Sequence, residues 1–511
     1  MARNGKVIIS KGINLEKEHR NILNYSSSTM LELMQGQTHL VSYLSDYSFV
    51  GEHGKGGNVI DVSVSYDNCI IANYIAYQNP TYSNKWFFAF IDKIEFINPG
   101  TTRITFTVDE WATWYDNLTF KSCFVVREHV NSDLLGEHTI PEGLETGEYI
   151  INTHGSDSQN GTLTCVVAST LSPGELVNFY GGIYTGIPSG ITYYRFDTII
   201  GGTGSNSLQE YLSMLTGDRI NAVQSIFLAP TWLVSDTPAI YIPTSNIPKS
   251  FAMGIPRITT LDTYEPVNRK LLCYPYVYIN MSNGQGGNAI YHQELWEETN
   301  NLMTFNVQGC LTPGCSVRGV PYKYKGENNP YDEGLNLGKF PQISWTTDQY
   351  TNWLTQNGVN LAITTTASLL SAPATGGLSL AVGIAKTMNE VYQHSLLPPQ
   401  AKGNLNSGDV VTASGNNKFH YYCMSIKKEY AKIIDDYFTR FGYKVNALKV
   451  PNITGRTYWN YVEIGAGEDV AFGDVPINAM ESINNIFRNG TTIFHSHDNI
   501  GNFSLNNTIV S

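Results

Sequence analysis

Charge is what this chain has least of. Only 15% of its 511 residues are Asp, Glu, Lys or Arg, against roughly 25% in an ordinary globular domain. Cations are the scarcer sign, with 32 Lys and Arg facing 44 Asp and Glu, for a net charge of −12. That balance excludes a phosphate-gripping surface, because affinity for nucleic acid comes mostly from cations that neutralise phosphates. It is compatible with nucleic acid sliding past an acidic wall without adhering. Cysteine is also sparse: Cys69, Cys123, Cys165, Cys273, Cys310, Cys315 and Cys423 form no paired framework, and an odd, scattered set reads as reduced thiols made in a cytosol. The opening MARNGKVIISKG has no continuous apolar core, so no secretion signal is expected.

Catalytic motifs are missing as well. Ile200-Gly201-Gly202-Thr203-Gly204 lacks both a Walker lysine and the full dinucleotide-binding glycine spacing, and reads as a turn. His495, His497 and Asp498 are metal-ligand types, but no second cluster completes a coordination shell. Cys310 and Cys315 have no partner pair. Arg127, Glu128 and His129 are consecutive, and neighbours along a strand point to opposite faces. No G-x-S-x-G nucleophile occurs. The expectation is a protein that is not an enzyme and needs no cofactor.

Asn, Gly, Thr, Ser and Tyr occupy the room that charge leaves. Polar uncharged surface suits subunit interfaces, where buried charge costs more than buried amide or hydroxyl; a secreted β protein has a similar composition. The length predicts roughly two to four domains.

Residues 1–154 alternate apolar and polar residues in short runs. Val59 to Ser65 and Thr102 to Val108 have the period of two of half-buried strands, and Asn98-Pro99-Gly100 and Gly56-Gly57-Asn58 supply turns. The dense aromatics between Tyr74 and Trp114 read as core. Residues 155–342 are looser and mostly β, with strands over Leu163 to Val167 and Ala239 to Ile242 and helices near Ser207 to Leu215 and Ala289 to Asn301. Residues 418–511 return to regular structure. An amphipathic helix is predicted over Ser425 to Phe441, with Ile426, Tyr430, Ile433 and Tyr437 on its apolar face, Lys427, Lys428 and Asp435 elsewhere, and Gly442 as its stop. A second helix runs near Asn478 to Arg488, through Met480, Ile483 and Phe487 to Gly490.

Between these parts lies an insertion, residues 343–417. It contains 37 consecutive uncharged residues, Gln349 to Ala385. As one helix, Leu361 to Ala385 would be about 37 Å long, enough for a bilayer core of about 30 Å. Pro373, Gly376 and Gly377 interrupt it and favour a hairpin. Its apolar residues Leu361, Ile363, Leu369, Leu370, Leu378, Leu380, Val382 and Ile384 contribute roughly 0.3–0.6 kcal/mol each to insertion. One copy is a weak anchor; several side by side bury their Ser, Thr and Gly against one another. The run is either enclosed on all sides or meant for lipid.

Four stretches carry a resemblance. NYIAYQNPTYSNKWFFAFIDKIEFINPGTTRITFTVDEWATWY (Asn73 to Tyr115), VVREHVNSDLLGEHTIPEGLETGEYI (Val125 to Ile150), IDDYFTRFGYKVNALKVP (Ile434 to Pro451) with Gly455 to Tyr461, and Asn489 to Phe494 resemble the tail knob proteins of small short-tailed phages of Gram-positive hosts, the phi29-like group. The resemblance implies a mainly β fold, with a tail-tube-like β-barrel domain, a mostly β middle region, an inserted hydrophobic loop and a few short helices. It implies a homo-hexamer in contact with other tail proteins, located in the virion and assembled in the host cytoplasm. Its loop would plug the lumen and later enter host membrane lipid, letting double-stranded DNA pass without specific binding. The rival reading is a tail adhesin that uses the Tyr- and Gly-rich middle region to hold cell-wall carbohydrate.

Overall fold

The computed structural model describes residues 5–47, 58–79, 82–157, 159–160, 162–171, 181–182, 192–196, 207–215, 219, 222–234, 250–284, 286–297, 301–310, 315–325, 333–338, 340, 342–344 and 418–508. The chain is mainly β, with short helices, and its strands form six sheets among these residues. It divides into two compact units, Met1–Glu145 with Pro266–Leu271 and Glu429–Ser511, and Thr146–Glu265 with Leu272–Lys428.

The first unit is built on a six-stranded sheet, in the order Leu40–Tyr47, Gly5–Ser10, Tyr74–Asn79, Lys85–Asn98, Thr101–Val108, Asn58–Val62. Its central strands are covered on both faces. Val7, Ile9, Ile75, Tyr77, Phe87 and Ala89 pack into one apolar cluster, while Ile8, Tyr74, Ala76, Phe88 and Phe90 point into another. Successive side chains of a strand face opposite ways, so burial on both sides requires an unbroken apolar run, here Trp86-Phe87-Phe88-Ala89-Phe90. Thr101–Val108, further out in the sheet, keeps the expected alternation: Thr102, Ile104 and Phe106 are buried between exposed Arg103 and Thr107. Gly100 N–H donates to Asn98 Oδ1 at 2.9 Å in the turn. Tyr74, Tyr77, Phe87, Phe88, Phe90, Phe106, Trp111 and Trp114 are core, as read, whereas Phe96 is 60% exposed.

A five-stranded sheet joins the two ends of the chain, in the order Asn21–Leu23, Thr491–Phe494, Trp459–Ile464, Cys123–Glu128, Tyr443–Lys449. Asn21–Leu23 runs parallel to Thr491–Phe494, with Ile22 opposite Ile493. The helix Ile477–Arg488 buries Ile483 and Phe487 against the same core. Gly490 follows it at φ +79°.

The second unit holds three sheets: Tyr149–Ser156, His420–Ile426, Val277–Ser282, Asn288–Tyr291; Gly181–Gly182, Thr192–Phe196, Leu163–Ser169, Val223–Pro230, Gln342–Ser344; and Ser250–Pro256, Leu302–Cys310, Ser316–Pro321, Leu335–Leu337. The helix expected near Ser207 to Leu215 spans Leu208–Met214.

Two helix assignments are corrected. The described part of Ala289 to Asn301 does not form the expected helix: it contributes the strand Asn288–Tyr291 and a short turn at Gln293–Leu295. The Gln293 side chain explains the choice, for its amide bridges Ile258 N and O and Leu272 O, at 2.8, 3.1 and 2.6 Å, from inside the unit.

The helix expected over Ser425 to Phe441 is Lys428–Phe441, because Ser425 and Ile426 belong to the strand before it. Its buried face is also the other one. Ala431, Ile434, Asp435 and Phe438 face inward, whereas Ile433 is 68% and Tyr430 36% exposed. Asp435 decides this face. Its carboxylate accepts from Val267 N, Asn268 N and Asn268 Nδ2 at 2.8, 3.0 and 2.8 Å, and a fully bonded carboxylate can sit where the apolar pattern puts a solvent face.

Candidate functional site

The loop residues Leu361, Ile363, Leu369, Leu370, Pro373, Gly376, Gly377, Leu378, Leu380, Val382 and Ile384 lie outside the described residues. So do Ala239 to Ile242, Ile200 to Gly204, Gly56 and Gly57. Both ends of the inserted segment are described, in the second unit. The chain departs from Gln342–Ser344, which pairs antiparallel with Val223–Pro230 through Ser225 opposite Ser344 and Phe227 opposite Gln342. It returns at Phe419 and enters His420–Ile426, an inner strand held between Tyr149–Ser156 and Val277–Ser282.

The return is fastened by one carboxylate. Asp157 is 3% exposed, and Phe419 is fully buried. Asp157 Oδ2 accepts from Phe419 N at 2.7 Å, and Asp157 N donates back to Phe419 O at 3.0 Å. Asp157 Oδ1 accepts from Gln159 N and Asn160 N, at 3.2 and 2.8 Å. Asn160 Nδ2 donates to Asp157 Oδ2 at 3.1 Å, and Asn160 Oδ1 in turn accepts from Trp232 Nε1 at 2.8 Å. An aspartate that caps its own following turn has a local sequence signal, Asp157-Ser-Gln-Asn160. Its second role, receiving the chain 262 residues later, has none.

A second polar assembly holds the first unit together. Glu142 is enclosed, and its two oxygens pair with Arg127 and Lys270. Lys444 N also donates to Glu142, at 2.9 Å. Glu128, fully buried, pairs with Lys449 and accepts from Asn452 N at 2.7 Å. His129 Nδ1 accepts from Tyr461 N at 2.7 Å, which leaves its Nε2–H to donate to Thr439 O at 2.9 Å. Burial, followed by the charges of Arg456 and Arg127, holds this imidazole well below the ordinary histidine range. Arg127, Glu128 and His129 therefore make three separate anchoring contacts, as their alternating directions imply.

A comparable pair lies nearer the N-terminus. His19 Nε2 contacts Asp109 Oδ1 at 3.1 Å, and Tyr74 donates its hydroxyl to Asp109 Oδ2 at 2.7 Å. Burial alone would lower His19, but the bond and charge of Asp109 reverse that and leave it raised.

Of the residues weighed as metal ligands, His497 Nδ1 contacts Asp498 Oδ1 at 3.3 Å, and the two histidines have separate Nε2 partners. His495 Nε2 contacts Asn460 Oδ1 at 3.0 Å, while His497 Nε2 accepts from Asn14 N at 3.3 Å. Among the described residues no three His, Cys, Asp or Glu side chains are grouped as a metal site. Among them, too, no helix is long and apolar enough to cross a membrane.

Comparison with known proteins identifies the fold and the family. Residues 3–119 match the caudoviral major tail protein N-terminus. Tail knob protein gp9 of Bacillus phage phi29 is 26% identical, with 98% of each chain covered. Its counterpart in Bacillus phage B103 is 25% identical over 92% of each. The solved tail knob protein gp12 of bacteriophage C1 superposes with a TM-score of 0.66 at 15% identity, over 99% of this chain and 100% of that one. That likeness concerns the fold. Residues 244–508, more than half of the chain, match the family described as Bacillus phage phi29 tail knob protein gp9, C-terminal domain. The chain therefore belongs to the phi29 gp9 tail knob family, and is a structural virion protein of a short-tailed phage tail, assembled in the host cell.

Proposed function

We propose that residues 343–417 act as a single inserted loop which plugs the lumen of a homo-hexameric knob and enters the host membrane to let the genome pass. The observation that carries this reading is the uncharged run itself, 37 residues long, placed between two strand ends in a tail knob chain. The departing strand Gln342–Ser344 and the Asp157-bound return at Phe419 give the loop fixed roots. A loop so rooted can change its surroundings without unfolding the sheets that carry it.

The energetics favour a collective device. One segment gains only about 2–5 kcal/mol on insertion, too little for a lone anchor, while several copies share their Ser, Thr and Gly contacts. Burial in the tube and burial in lipid are then two alternatives for the same surface, and a trigger need only bias one over the other.

Association is supported by apolar surface on the first unit. Ile433 and Leu448 are 68% and 75% exposed, and Tyr430 and Phe441 36% each. Exposed apolar groups of this kind suit contacts between copies. The acidic balance of the chain fits a channel to which DNA does not adhere.

Dye release from liposomes by the purified assembly tests the reading. Wild-type protein should release dye under a triggering condition, and a variant lacking residues 349–417 should not. If that variant still binds host cell walls and liposomes never leak, the carbohydrate-binding adhesin takes its place.

A further inference from the structure

The two roots of the inserted segment are held unequally. On the departing side only Gln342, Ile343 and Ser344 are paired, opposite Phe227, Ile226 and Ser225. Among the described residues this is the outermost strand of its sheet, with Val223–Pro230 on one side and no strand on the other. Val223–Pro230 does not depend on it. Its other edge is paired with Leu163–Ser169 along its length, from Val223 opposite Ser169 to Pro230 opposite Leu163. Detaching the outer strand breaks one short ladder and leaves the rest of the sheet standing.

The returning side is built the opposite way. His420–Ile426 lies inside its sheet and is paired on both edges. One ladder runs from Tyr149 opposite Ile426 to Ser156 opposite His420, the other from Val277 opposite Ser425 to Ser282 opposite His420. Cys423 and Ile426 are fully buried, and Asp157 holds Phe419 just ahead of the strand. Withdrawing this strand would cut the sheet in two.

Folded chains open locally in units whose cost ranges from almost nothing to that of global unfolding. A three-residue edge strand stands at the cheap end, because no second ladder breaks with it. The opening also has a defined limit. Ahead of the departing strand, Leu335–Leu337 pairs with Ser316–Pro321 through Leu335 opposite Gly319 and Leu337 opposite Val317, and Phe340 is 1% exposed. An opening that begins at Ser344 stops at Phe340.

We propose that Gln342–Ser344 is a latch. It unzips from Val223–Pro230 when the inserted segment changes surroundings, while Phe419 and His420–Ile426 stay in place as the fixed root. This rests on the membrane role of the inserted segment and adds a direction to it: slack enters from the departing side alone. Unzipping three residues supplies about 10 Å of extended chain.

Hydrogen exchange on the purified full-chain assembly tests the latch directly. Without any trigger, Gln342–Ser344 should exchange at least about tenfold faster than His420–Ile426. Liposomes of phosphatidylglycerol and phosphatidylethanolamine should raise the exchange of the departing strand alone. A disulfide across the departing pair, Ser225→Cys with Ser344→Cys, should suppress dye release from the same liposomes, and reductant should restore it. A disulfide across the returning pair, Ser282→Cys with His420→Cys, should leave release as in wild type. If the departing disulfide does not form, the exchange rates decide. The latch is overturned if the two strands exchange at equal rates, if liposomes deprotect both together, or if the closed disulfide at positions 225 and 344 leaves dye release unchanged. Wild-type protein that never releases dye defeats the membrane role instead, and the exchange rates still judge the latch.

Discussion

Asp157 and Phe419 are 262 residues apart in sequence and exchange two hydrogen bonds, Phe419 N to Asp157 Oδ2 at 2.7 Å and Asp157 N to Phe419 O at 3.0 Å. Asp157→Ala removes the acceptor of Phe419 N, of Asn160 N and of Asn160 Nδ2. A loss of about 2–4 kcal/mol follows, with Asp157→Asn costing less because one oxygen remains. Denaturant midpoints of the full chain measure it. A change within about 0.5 kcal/mol for the alanine variant would show that this fastening is redundant.

A single charge in the inserted run should separate assembly from membrane action. Leu370→Asp or Ala374→Arg adds roughly 2.5–3.5 kcal/mol at mid-bilayer, comparable with the whole apolar gain of one segment. Assembly by light scattering should match wild type, and liposome leakage should fall. Unchanged leakage removes the loop from the mechanism.

Glu142→Gln leaves Arg127 and Lys270 facing each other around a neutral amide. Breaking a buried ion network from one side costs about 3–5 kcal/mol. Adding Lys270→Met to Glu142→Gln should return part of that loss, since it removes one of the stranded cations. Chemical unfolding of the two variants gives the comparison, and equal stabilities would mean that Lys270 does not depend on Glu142.

His129 makes the first unit sensitive to acid. Its folded-state pKa lies well below the ordinary value, so the unfolded chain takes up the proton first. The stability it contributes is complete above about pH 6.5 and falls as the pH drops below that. His19 acts in the opposite sense: its raised pKa adds stability below about pH 6.5 that is lost as the pH rises through its folded value. His129→Gln should therefore flatten the loss of stability between about pH 6.5 and 5. A slope identical to wild type in unfolding scans across that range would assign the acid sensitivity to other groups.

Gly442 follows the helix Lys428–Phe441 at φ +64°, and a Cβ there would run into the Glu128 carbonyl. Gly442→Ala combines left-handed strain with a backbone collision, and should cost more than the roughly 1 kcal/mol of a free left-handed residue. A midpoint shift no larger than that would mean the strand Cys123–Glu128 yields.

Much of the fold is legible in the residues. Thr102 to Val108 alternates because one face of that strand is wet, and Trp86 to Phe90 does not because both faces are covered. Ile483 and Phe487 were readable as a buried helical stripe for the same reason. The candidate loop was legible as composition, because 37 uncharged residues are conspicuous in any context. Its fastening was not: nothing around Asp157 signals that Phe419 will arrive there.

The linear order of side chains was enough to establish a mainly β chain with a charge-free insertion, since periodicity and composition are local properties that need no partner. Which polar groups are buried was decided by tertiary structure alone. Asp435 reads as a solvent-facing carboxylate and lies inside, because Val267 and Asn268 come from far along the chain to donate to it. A carboxylate enters a core only when donors meet it there, and where the donors come from is a property of the folded chain.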